Sequence, residues 1–104
     1  MSEHLPNAYQ SFQEQYPDVF DAYNQLGSAV HSQGPLAEKT RDLVKLGIAI
    51  GIGSEGAVHS HTRKALASGA TPEEIRQVVL LSLPTIGFPK MMAALTWVED
   101  ILRA

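Results

Sequence analysis

Among the residues able to move a proton, His61 is distinguished by its neighbours. On a helix, Ala57, Val58, Ala65 and Leu66 share its face by steps of three and four, so its imidazole is expected to point inward. His59 groups instead with Glu55, Arg63 and Lys64 on the polar side, where a solvated histidine is expected. Because positions 59 and 61 point to different faces of a helix, no metal site is expected from this pair. A buried imidazole needs a hydrogen-bond partner for at least one ring nitrogen. The only acidic residue inside the preceding apolar stretch is Asp42, in line with Leu46, Ala49 and Gly53. An Asp42 to His61 pair would fix the tautomer and raise the basicity of the ring, as a general base near neutral pH requires. The same pair could instead only tie two helices together. Lys45, Arg63 and Lys64 offer positive charge for a substrate carboxylate, although a solvated helix face explains them equally well.

A second constellation is Gly51-Ile52-Gly53-Ser54-Glu55-Gly56, which matches G-x-G-x-x-G between an apolar run and a helix. A dinucleotide loop would need a strand before it, a parallel sheet beside it and an acidic ribose ligand about twenty residues on. Glu73 and Glu74 fall near that distance, but they suit the first turn of a helix better. The chain is also too short for a dinucleotide domain. The alternative is that Gly47 and Gly51 let two helices approach closely while Gly53 to Gly56 form a turn. Ser54 lacks a nucleophile-elbow pattern, and Met91, Met92 and Trp97 are expected to pack rather than to react.

The elements that must position these residues read as helices. Across 104 residues, 44% are hydrophobic and 18% charged, enough for one core and one domain. The low charged fraction leaves some apolar surface for a partner subunit. From Pro6 to Gly34, Tyr9, Phe12, Tyr16, Phe20, Tyr23, Leu26 and Val30 recur at helical steps, and Pro17 is expected to split that stretch in two. Leu36 to Ile52 is a helix or a buried strand by periodicity, and its length favours helix. A helix from about Glu55 to Ser68 stops at Gly69. Thr71, Pro72 and Glu74 then form a T-x-x-E capping box that opens the next helix. That helix is apolar nearly all round, predicting deep burial, until Pro84 and Gly87 disturb or end it. A last helix, from about Phe88 to Arg103, is apolar on more than one face.

Composition removes several functions. With no cysteine, the chain has no disulfide, thiolate nucleophile or cysteine-zinc chemistry. A net charge of -3 with scattered basic residues gives no footprint for nucleic acid. No signal sequence or membrane span is evident, so a soluble, cytoplasmic protein is the expectation.

Lys39-Thr40-Arg41-Asp42-Leu43-Val44, the run from His61 through Gly69-Ala70-Thr71-Pro72-Glu73-Glu74-Ile75, and Gly87-Phe88-Pro89 together resemble the carboxymuconolactone decarboxylase family, which includes the alkylhydroperoxidase D-like proteins. The resemblance covers about residues 36 to 103, and the first 35 carry little of it. It implies an all-α fold of about six helices on a helical-hairpin core, assembled into trimers or hexamers through apolar faces. In the peroxidase branch a Glu and a His relay protons around a C-x-x-C pair. Those thiol positions fall on Ser54 and Ala57, and the relay Glu falls on Asp42. With both sulfurs gone, thiol peroxidase chemistry is not expected. The decarboxylase branch, which also lacks the pair, implies cofactor-free acid-base chemistry on a small carboxylated or lactone metabolite. His61 and Asp42 would then be catalytic, and Ser54, Ala57 and Arg63 would meet the substrate. The competing expectation is a noncatalytic helical oligomer that binds a small molecule or scaffolds.

Overall fold

The computed structural model describes residues 7–104. Among them there are seven helices and no strand: α1 (Asn7–Gln15), α2 (Pro17–His31), α3 (Glu38–Ile52), α4 (Glu55–Ala67), α5 (Pro72–Leu81), α6 (Leu83–Ile86) and α7 (Phe88–Leu102). The absence of a strand among these residues removes the dinucleotide reading, because Gly51 lies in the last turn of α3. The chain divides into two compact units between Pro35 and Leu36.

In the first unit, Pro17 opens α2 and separates it from α1, as a residue with fixed φ and no N–H does best at a helix start. Pro6, where the periodic stretch begins, lies outside the described residues. Phe20 is buried, with the rings of Tyr9 and Phe12 centred 5.6 and 6.1 Å from it in edge-on orientations. Tyr16, Val19, Tyr23, Leu26 and Val30 remain exposed.

The second unit is built on a hairpin of α3 and α4. The stretch that periodicity leaves open between helix and strand is helix α3, and it buries Asp42, Leu46, Ala49 and Ile50 along one face. Gly53 ends it in the left-handed region at φ 72°, a conformation costly for a residue with a Cβ. Gly47 and Gly51 are not close-approach positions. A Cβ at Gly47 would meet Val78 at an ordinary 3.8 Å, and one at Gly51 would meet nothing within 4 Å.

Helices α5 and α7 close the core over this hairpin, where Leu46, Val58, Ala65, Ile75, Val79 and Val98 are fully buried. Thr62 is buried among them, its hydroxyl donating to the Val58 carbonyl at 2.7 Å. The capping box of α5 is complete: Thr71 Oγ1 accepts from the Glu74 amide, and a Glu74 carboxylate oxygen accepts from the Thr71 amide.

The predicted deep burial of α5 is corrected by the structure. Ile75 and Val79 are buried, whereas Leu80 and Leu81 are exposed, because the described helices cover only one side of it. Pro84 does more than interrupt: it lies in the first turn of the short helix α6. Gly87, at φ 99°, leads into α7, where Met91 is buried and its neighbour Met92 is exposed. Arg76 of α5 grips Glu99 of α7 through two hydrogen bonds of 2.8 and 3.0 Å, and Arg103 adds a third at 3.0 Å.

Candidate functional site

The α3–α4 hairpin carries most of the residues selected from the sequence. His61 is half-buried on α4, on the face that buries Val58 and Ala65, and its Nδ1 is enclosed. Asp42 is 8% exposed on α3, at the depth its register with Leu46 predicts. Asp42 and His61 thus lie on the two facing helices of one hairpin.

Ser54 is the N-cap of α4, and its Oγ accepts from the Ala57 amide at 3.3 Å. Ser54 and Ala57 are therefore joined by a helix cap. Ala57 is half-buried one turn before His61. Arg63 is half-buried two positions beyond it, where helical geometry turns it away from the imidazole.

A cavity of about 390 Å³ opens between α3, α5 and α6, lined by Leu43, Gly47, Ile50, Val78 and Ile86 together with Thr40, Ser82 and Thr85. None of His61, Asp42, Ser54, Ala57 and Arg63 lines it.

His59 departs from its sequence reading. Its side chain is only 22% exposed, and Nε2 lies 3.0 Å from Oδ2 of Asp100 on α7. Glu55, one turn earlier on α4, completes a group of three whose ligand atoms lie within 4.8 Å of one another. The Glu55-to-His59 spacing is visible in the sequence. The contribution of Asp100, 41 positions away, depends on how α7 crosses α4.

A model of the carboxymuconolactone decarboxylase family matches residues 17–100. The chain belongs to this family. The carboxymuconolactone decarboxylase match begins in α2, earlier than residue 36, where the resemblance carried by the sequence motifs begins. An uncharacterized protein of Methanocaldococcus jannaschii is 33% identical over 104 aligned residues, spanning 99% of this chain and 94% of that protein. A second uncharacterized protein of that organism is 32% identical over 89 residues, 85% of this chain and 86% of the relative. A 4-carboxymuconolactone decarboxylase of Acinetobacter baylyi is 27% identical over 74 residues, covering 71% of this chain and 55% of that enzyme. Within this carboxymuconolactone decarboxylase scaffold, no described helix is long and apolar enough to cross a membrane.

Proposed function

We propose that this chain is a cofactor-free acid-base catalyst for a small carboxylated lactone, with His61 exchanging the proton and buried Asp42 supplying negative charge on the facing helix. The observation that carries this reading is the half-buried imidazole with its enclosed Nδ1, held on the same hairpin as a buried carboxylate in a cysteine-free family member. The name of the Acinetobacter relative supports the substrate class. Ser54 and Ala57, on the turns of α4 that precede His61, form the proposed substrate surroundings, and Arg63 is proposed to reach a substrate carboxylate from the adjoining face.

In such a decarboxylation the bond between a ring carbon and the carboxyl carbon breaks and CO2 leaves. The electron pair stays with the ring and is accepted by a conjugated lactone carbonyl. His61, as imidazolium, returns one proton to carbon and regains one from water.

The test is a thermal-shift and turnover screen with carboxylated lactones, muconate-like diacids and simple aromatic acids. A ligand at a hundred times its Kd adds about 2.7 kcal/mol of stability. His61→Ala is expected to keep its helical circular dichroism while kcat on the ligand found falls by about 10²- to 10⁴-fold. Absence of any ligand shift, together with a His61→Ala variant that loses only stability, overturns the reading.

The second reading, a noncatalytic helical oligomer, is favoured by one observation: the apolar cavity is lined by none of the acid-base residues. Self-association is proposed under both readings. Val44, Ile48 and Ile52 on α3 and Leu80 and Leu81 on α5 form the exposed apolar surface that a second copy would cover.

A further inference from the structure

We propose that Glu55, His59 and Asp100 form a binding site for a divalent transition-metal ion that links α4 to α7. Glu55 and His59 are four residues apart on α4, so their side chains rise from one face of the helix. Asp100, near the C-terminal end of α7, meets them from the neighbouring helix. The three ligand atoms lie within 4.8 Å of one another.

Two features separate this group from an ordinary surface cluster. One ligand is an imidazole held mostly out of solvent, with Nε2 3.0 Å from Asp100 Oδ2. That separation is close to the edge of about 3.3 Å between two ligands of a tetrahedral zinc ion with bonds near 2.0 Å. In addition, neither Glu55 nor Asp100 is paired with a lysine or arginine among the described residues. Glu99, next to Asp100, takes the contacts of both Arg76 and Arg103. Two carboxylates thus retain their charge for a dication, and the imidazole nitrogen selects zinc or cobalt over calcium, which prefers an all-oxygen shell. Glu55 is exposed and can swing through the remaining distance. Three protein ligands leave at least one coordination position for water.

The site is independent of the acid-base reading, since it excludes His61 and lies on the face of α4 that carries His59. Calorimetric titration of chelator-treated full-length protein with Zn²⁺ tests it. One ion per chain is expected for the wild type and for His61→Gln, with binding at least tenfold weaker in Glu55→Gln and in His59→Gln. Because Glu55 is exposed, Glu55→Gln leaves the fold intact, which circular dichroism checks. Co²⁺ added to the wild type should give visible absorption bands that are lost in His59→Gln. Equal Zn²⁺ affinity in wild type and Glu55→Gln, or no binding at millimolar Zn²⁺, overturns the proposal.

Discussion

At the scale of single residues, Glu99 has the clearest electrostatic signature. The two hydrogen bonds from Arg76, followed by the one from Arg103, hold its carboxyl at about 2. A folded-state value below the unfolded one, near 4.3, makes the contribution complete above about pH 4.5 and removes it as pH falls through 2. The urea midpoint of the wild type is therefore expected to drop between about pH 5 and pH 2, and Glu99→Gln should flatten that drop. An equally steep fall in the variant would assign acid sensitivity to other carboxylates. At this scale the sequence was informative wherever one helix decided the outcome. The inward side of His61 and the depth of Asp42 both follow from steps of three and four. Spacing along one helix did not show that His59 meets Asp100.

At the scale of elements, helix boundaries follow local chemistry. Thr71 and Glu74 satisfy each other's backbone donors, so Thr71→Ala is expected to cost about 1 kcal/mol, measured by urea denaturation. Glu74 also accepts from Lys39 at 3.0 Å, which ties the start of α5 to α3. Pro17, Gly53 and the Thr71 box were all legible because each acts within a few residues. The burial of α5 was not, because an all-round apolar helix says what can be covered and not which neighbours exist to cover it. That distinction gives a paired prediction. Ile75→Ala should cost about 2–5 kcal/mol, whereas Leu80→Ala should lie within about 0.5 kcal/mol in dilute protein. Comparable losses in the two unfolding curves would show that α5 is covered on both sides.

At the scale of the whole molecule, the sequence conveyed the all-helical class and the surplus of apolar residues, and the structure shows where that surplus lies. Exposed Val44, Ile48 and Ile52 follow one side of α3, opposite the side that buries Leu46 and Ala49. Composition predicted such a surface but could not locate it, since the same count of apolar residues fits many packings. The adjacent methionines of α7 lie on opposite sides of this boundary, Met91 at 4% exposure and Met92 at 39%. With no cysteine to consume oxidant first, dilute peroxide should convert Met92 to its sulfoxide well before Met91, as peptide mass spectrometry would show. The pair therefore works as a chemical gauge of crowding. If copies of the chain cover Met92, its oxidation will slow as protein concentration rises while Met91 stays as it was, and equal rates at the two sulfurs would mean that α7 does not hold the orientation described.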